Sequence, residues 1–387
     1  MRKETLLATI GVDPNSHEGI VNTPVYRAST VLFSSLDELE RMHRGENTTS
    51  PYGRFGTRTS EDLERSLAVL EGADRAIVLA SGLSAILVAL TAFVSTGDHI
   101  LVVDSVYQPV RILCDNELKR FGVETTYFNP MLGAELASLI RPNTKAIYLE
   151  SPGSLTFQVQ DIPLLATIAH NHGLVVMHDS TWATPLLAKP FDLGIDISIH
   201  SATKYIGGHS DILMGVLTCK EEHYKRLLTT FRNTGPCVSP DTCYLAQRGL
   251  RTLATRLKQH DKSGRTIATW LKGRPEVETV LHPALPECPG HELWKRDFTG
   301  ANGLFSFVLK HPVPRERLAA MLDNLQLFHM GYSWGGFESL IIPFDPRPFR
   351  TSTEWPYQGQ AFRLHVGLEN VEDLLTDLQL GLERLAV

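Results

Sequence analysis

The stretch Ile199-His-Ser-Ala-Thr-Lys204-Tyr-Ile-Gly207-Gly208-His-Ser-Asp211 decides how the rest of the chain reads. It follows Ile195-Asp-Ile-Ser-Ile199, a short apolar run with the character of a buried strand. It closes on a Gly-Gly pair, which admits backbone conformations that other residues avoid. Lys204 therefore sits just past a strand end, between the hydroxyls of Ser201 and Thr203 and a flexible turn. A surface lysine in a loop is the plain reading. The sharper one is a Schiff-base lysine, whose amine must be partly desolvated to act as a nucleophile near neutral pH.

Upstream, Gly173-Leu-Val-Val-Met-His-Asp179-Ser-Thr-Trp182 reads as an apolar strand that delivers a carboxylate at its C-terminal end. Open α/β sheets bind ligands along that edge. Pyridoxal phosphate needs such a pair, a lysine for its aldehyde and a carboxylate that keeps its ring nitrogen protonated. Lys204 follows Asp179 by 25 residues, room for one crossover and the next strand.

A chain of 387 residues can bury a large core and hold two domains, or one with a substantial second lobe. At 43% hydrophobic and 21% charged the composition is that of a soluble globular protein. A net charge of −6 without a long basic run speaks against nucleic acid or an anionic membrane as partner. The five cysteines are an odd number with no CxxC spacing, which predicts reduced thiols in a cytoplasmic protein and no zinc site. The 15 histidines show no HExxH or similar spacing, so none is assigned to metal. Met-Arg-Lys-Glu-Thr lacks the apolar core of a signal peptide, and Ala85 to Val94 is too short to span a bilayer.

Residues 1–56 read as an irregular arm, rich in proline and turn pairs, closed by Tyr52-Gly-Arg54-Phe-Gly56. Residues 57–250 alternate helix and strand, with strands at 76–79, 99–103, 124–127, 145–150, 175–179, 196–199 and 213–218. That alternation predicts a mainly parallel sheet covered on both faces. Ser81-Gly82-Leu83-Ser84 opens an apolar helix, where free amides and the helix dipole make a natural phosphate site. Neither GxGxxG nor a P-loop lysine is present, which disfavours a dinucleotide or a nucleoside triphosphate. Tyr107 follows the second of these strands and reads as a packed aromatic. Residues 251–387 turn to an α+β pattern, with strands at 304–309, 339–343 and 361–366. The leucines at 374, 375, 378, 382 and 385 form one face of a last, core-packing helix.

Segments throughout the chain resemble the pyridoxal-phosphate-dependent family of cysteine and methionine metabolism, and within it the cystathionine β-lyase branch. They are Tyr52-Gly-Arg54, Glu150-Ser-Pro-Gly-Ser154, Ser201-Ala-Thr-Lys204-Tyr, Gly208-His-Ser-Asp211, Arg248-Gly-Leu-Arg-Thr252, Tyr332-Ser-Trp-Gly-Gly-Phe-Glu-Ser339 and Arg363-Leu-His-Val-Gly-Leu-Glu369. The resemblance implies the aspartate aminotransferase-like fold, fold type I, with a seven-stranded sheet and a smaller C-terminal α+β domain. It implies that Lys204 carries pyridoxal 5'-phosphate and acts as base and acid, with Asp179 on the ring nitrogen and Tyr107 stacked on the ring near the substrate amine. Gly82 and Leu83 amides, Ser201 and Thr203 would hold the cofactor. Arg363 would clamp the substrate carboxylate, lined by Ser333 and Trp334. Tyr52 and Arg54 would reach the neighbouring subunit's cofactor and substrate, so the resemblance implies a homo-oligomer with shared sites, a homotetramer built from two dimers.

The activity implied is β-elimination of an amino-acid thioether. The γ-synthase and γ-lyase branches of the same family, and a broad cystine or cysteine-conjugate lyase, remain open alternatives. Those γ branches usually carry Ser-Leu-Gly-Gly where this chain has Ser333-Trp-Gly-Gly336, and Asn-Pro after Glu-Ser-Pro where it has Gly153-Ser154. Relatives commonly have asparagine where Ser180 stands, and methionine where Leu83 stands.

Overall fold

The computed structural model describes residues 1–46 and 50–385. Its first sheet has seven strands: β1 (Arg75–Leu79), β2 (His99–Val103), β3 (Glu124–Phe128), β4 (Thr144–Glu150), β5 (Val175–Asp179), β6 (Ile197–Ser201) and β7 (Gly215–Cys219). Their order is β1-β7-β6-β5-β4-β2-β3. The pairs from β6 through β3 are parallel, while β7 runs antiparallel to both neighbours. This is the mainly parallel, doubly covered sheet of fold type I. All five residues of β2 are buried, as a strand covered on both faces requires.

β1 shows how the two faces are filled. Ile77 and Leu79 pack with the helix Gly82–Phe93, and Ala76 and Val78 pack with the helices Arg58–Glu71 and Pro240–Lys272. Alternation along one strand thus joins two core layers.

The C-terminal sheet is antiparallel, with order β10-β11-β9-β8: β8 (Val277–Leu281), β9 (Leu304–Leu309), β10 (Leu340–Phe344) and β11 (Ala361–His365). The last helix, Val371–Glu383, buries Leu374, Leu378 and Leu382 against it.

Three sequence expectations need correcting. The arm is not wholly irregular: Lys3–Thr9 and Leu36–His43 are helical, the second capped by the Ser35 hydroxyl. Residues 47–49 of that arm lie outside the described residues. Strand β8 was not anticipated. Nor was the 33-residue helix Pro240–Lys272, inside which residue 250 falls.

Candidate active site

The parallel strands end on one edge, and there the chemistry gathers. In register, Glu150 pairs with Asp179 and Asp179 with Ile199, so three neighbouring strands deliver their ends side by side. Beyond β6 the chain makes a tight turn, with Lys204 N–H donating to Ser201 O at 3.1 Å and Gly208 N–H to Lys204 O at 2.7 Å. Gly208 has φ +72°, the left-handed region that glycine enters without penalty.

Lys204 Nζ donates to Ser333 Oγ at 2.9 Å and lies 5.4 Å from the Trp334 ring. Burial lowers its pKa to about 8, and the nearby charge of Arg363 acts in the same direction, against Asp179. The amine is thus poised close to neutrality. The turn carrying Ser333 and Trp334 lies directly on the lysine backbone. A Cβ on Gly335 (φ +87°) would stand 2.7 Å from Tyr205 N and 2.8 Å from Lys204 C.

Among the described residues, Arg363, 8% exposed, has no acidic partner, and its buried Nε has no hydrogen-bond partner. Its Nη2 donates to the carbonyls of Gly331, Tyr332 and Ser333 at 3.1, 3.1 and 3.0 Å. Burial brings its pKa down to about 10. A buried guanidinium with an unspent N–H is a receptor for a carboxylate.

Asp179 Oδ1 accepts the Thr181 N–H at 2.9 Å. Burial nevertheless pushes its carboxyl above the ordinary range, with the Thr181 bonds, His200 and Lys204 opposing. A cation placed against it would relieve that cost. Glu150 beside it is held well above the carboxyl range by burial and by the charge of Asp179. Glu150 Oε2 accepts the Tyr107 N–H at 2.7 Å, which fixes the start of the tyrosine loop. The Tyr107 phenol is pushed up by burial and by these two acids.

The helix Gly82–Phe93 begins at the same edge. Ser81 Oγ caps the Ser84 N–H at 3.1 Å, and the first backbone bond joins Ala85 N–H to Ser81 O. The Gly82 and Leu83 amides are left for a ligand. A Cβ on Gly82 would sit 2.8 Å from the Ser201 side chain, so helix and lysine turn meet closely. Ser201 N–H donates to Thr181 Oγ1 at 2.9 Å, and Thr203 Oγ1 accepts the Met214 N–H at 3.0 Å.

Tyr52 and Arg54 are not brought to this edge. Arg54 donates to Arg232 O at 2.5 Å and lies over the Phe55 ring, while Tyr52 is half exposed. Their neighbours Pro51 and Phe55, with Arg58 and Arg232, line a cavity of about 820 Å³. Sequence reasoning passed over Glu150 at this edge and His365 on β11, whose Nε2 lies 3.1 Å from Gly335 N, though both stand in segments it had singled out.

Three features of the chain fit pyridoxal phosphate. A desolvated lysine amine can meet its aldehyde, a buried acid short of a cation can meet its ring nitrogen, and an uncovered helix N-terminus can meet its phosphate. Among the described residues, no cluster of three or more His, Cys, Asp or Glu could hold a metal ion. No helix there is long and apolar enough to cross a membrane.

Residues 4–383 match the family model described as Cys/Met metabolism PLP-dependent enzyme. A putative cystathionine beta-lyase of Rhizobium johnstonii is 48% identical over 97% of this chain and 95% of its own. The cystathionine beta-lyase MetC of Escherichia coli is 41% identical over 99% of this chain and 98% of its own. Among solved structures, cystathionine gamma synthase from Xanthomonas oryzae pv. oryzae, in complex with aminoacrylate and cysteine, superposes with TM-score 0.90. It is 29% identical, over 99% of this chain and 98% of that one.

Proposed function

The chain belongs to the pyridoxal-phosphate-dependent enzyme family of cysteine and methionine metabolism, and from that premise we propose that it is a carbon–sulfur β-lyase acting on L-cystathionine. The products are homocysteine, pyruvate and ammonia, with one water consumed. The observation that carries the reading is the meeting of Lys204 and Asp179 at one sheet edge, with Arg363 of the second sheet close enough for its charge to act on the lysine and the Ser333–Trp334 turn laid over it.

When bound, pyridoxal phosphate supplies an electron sink for a carbanion at the substrate Cα. The chain does the rest. Gly82 and Leu83 amides hold the phosphate, and Asp179 keeps the proton on the ring nitrogen. Arg363 takes the substrate carboxylate by exchanging carbonyl contacts for a charged, two-pronged one. Lys204 Nζ removes the Cα proton and delivers a proton to the departing sulfur, so one group serves as base and acid. Its lowered pKa suits both tasks. Tyr107 would cover the cofactor ring, and Ser333 and Trp334 hold the lysine amine in place.

Each complete site also needs Tyr52 and Arg54 from a neighbouring chain, which makes a dimer the smallest competent unit and a pair of dimers the assembly. Within one chain Arg54 is engaged by Arg232 O and the Phe55 ring, which supports this reading. The buried free cysteines 114, 219, 243 and 288 support a reducing, cytoplasmic setting.

The test is side-by-side turnover of cystathionine, cystine and an O-acylhomoserine with cysteine by the purified protein. Cystathionine is expected to give the highest kcat/KM. Preferential condensation of the O-acylhomoserine with cysteine would make the protein a γ-synthase instead.

A further inference from the structure

We propose that His365 is a positioning residue that pins the Ser333–Gly336 turn against Lys204 through its Nε2 atom. The proposal rests on the assignment of Lys204, Ser333 and Trp334 to the reaction site.

His365 is fully buried and stands two residues after Arg363 on β11, so both side chains leave the same face of the strand. Arg363 holds the carbonyls of residues 331–333. His365 holds the next segment: its Nε2 is 3.1 Å from Gly335 N and 3.1 Å from Gly336 O. One strand therefore grips the turn at two points.

The segments on either side of the turn are open to solvent. Tyr332 before the turn is 90% exposed and Phe337 after it is 53% exposed. The polar tethers of Glu338 and Ser339, to Ser210 and Glu369, lie beyond it. The imidazole itself is locked in place by rings, 5.3 Å from His260 and 5.8 Å from Tyr205, and Tyr205 lies 5.5 Å from Trp334.

The ring works in its neutral form. Burial, with His260, Arg363 and Lys204 around it, holds its pKa well below the histidine range. Neutral Nε2 either accepts from Gly335 N–H or donates to Gly336 O, and each tautomer leaves the turn tied. Gly335 lies on the backbone of Lys204 and Tyr205, so the tie holds the turn down on the lysine. Loosening the tie frees Ser333 Oγ and the Trp334 ring, which His365 does not touch.

The experiment compares holoenzyme carrying His365→Leu or His365→Gln with wild type. Leucine fills the volume without hydrogen bonds, while the glutamine amide can donate or accept where Nε2 stands. Four quantities are read: kcat and KM for cystathionine, the pH midpoint of the visible absorbance of the lysine-bound cofactor, and the thermal midpoint. His365→Leu is expected to lose about 10- to 100-fold in kcat, the scale of a small misplacement of reacting groups. Its absorbance midpoint is expected to move by about half a pH unit, a change of about 0.7 kcal/mol in the lysine's surroundings. His365→Gln is expected to stay within about threefold of wild type, since it keeps the hydrogen bond.

A folded His365→Leu with a lower thermal midpoint but wild-type kcat and absorbance titration would make the histidine merely structural and overturn the proposal. A folded His365→Gln as impaired as the leucine variant overturns it too, and that arm decides alone if the leucine variant does not fold. Wild-type absorbance and turnover test the function; only the ratio of variant to wild type tests His365.

Discussion

Lys204 Nζ and Ser333 Oγ meet at 2.9 Å, although 129 positions of sequence separate them. The lysine comes from the turn after β6 and the serine from the loop before β10, so the contact exists only when the two sheets are docked. A reactive amine is thereby held where burial lowers its pKa to about 8. The predictions below follow from this geometry.

Lys204 ties stability to pH. Its pKa is about 8 when folded and near 10.5 when exposed, so between those values the unfolded chain binds more protons than the folded one. Raising the pH through that window therefore favours the folded state. Cofactor-free protein is expected to gain on the order of 1–3 kcal/mol relative to Lys204→Met, allowing for partial solvent screening. Denaturant unfolding at both ends of the window checks this, and parallel pH dependence of the two proteins would contradict it.

Asp179→Asn is expected to act with opposite sign on the two forms. Burial raises the Asp179 pKa, so at neutral pH its carboxylate destabilises the empty site, and asparagine removes that cost. With cofactor bound, the same change deletes the partner of the ring nitrogen. Thermal midpoints are expected to rise or hold for the cofactor-free variant and to fall for the loaded one, with kcat down about 100-fold or more. A loaded variant matching wild type would remove Asp179 from the site.

Arg363→Ala is expected to weaken substrate binding mainly through KM, by about 2–5 kcal/mol, with Arg363→Lys recovering only part. A point charge cannot replace a two-pronged guanidinium that now spends one nitrogen on three carbonyls. Steady-state kinetics of both variants decide the matter, and unchanged KM in both would release Arg363 from the role.

The sharing of sites is open to complementation. Arg54→Ala and Lys204→Ala are each expected to be strongly impaired. A mixed dimer holds one site damaged twice and one intact, so remixing is expected to restore up to about half of native activity, by counting sites in a two-fold pair. Verified mixed dimers without any gain would mean that each site is built within one chain.

Much of the fold could be read in advance because buried strands announce themselves by apolar runs. β2, β5 and β9 were placed to the residue, and the other anticipated strands within two. The helix Pro240–Lys272 was hidden by its glycines, which usually break helices. Here they serve close approach: a Cβ on Gly249 would stand 2.2 Å from Ile206 O, and one on Gly264 would stand 2.8 Å from Asn302 O. The lysine and its acid were legible because each follows a strand. His365 was not, since its task depends on Gly335 and Gly336, thirty and twenty-nine residues away. The alternation that puts it beside Arg363 was the one available signal. The roles of Tyr52 and Arg54 came from the family resemblance, because nothing in their local pattern distinguishes them from a solvated loop.

The most direct measurement is the identity of the keto acid released from L-cystathionine by purified wild-type protein, with Lys204→Ala as control. β-Elimination predicts pyruvate and homocysteine in equal amounts, and neither from the variant. Formation of 2-oxobutyrate and cysteine would show that the γ bond is cut, and pyruvate from Lys204→Ala at the wild-type rate would show that the lysine is not the base.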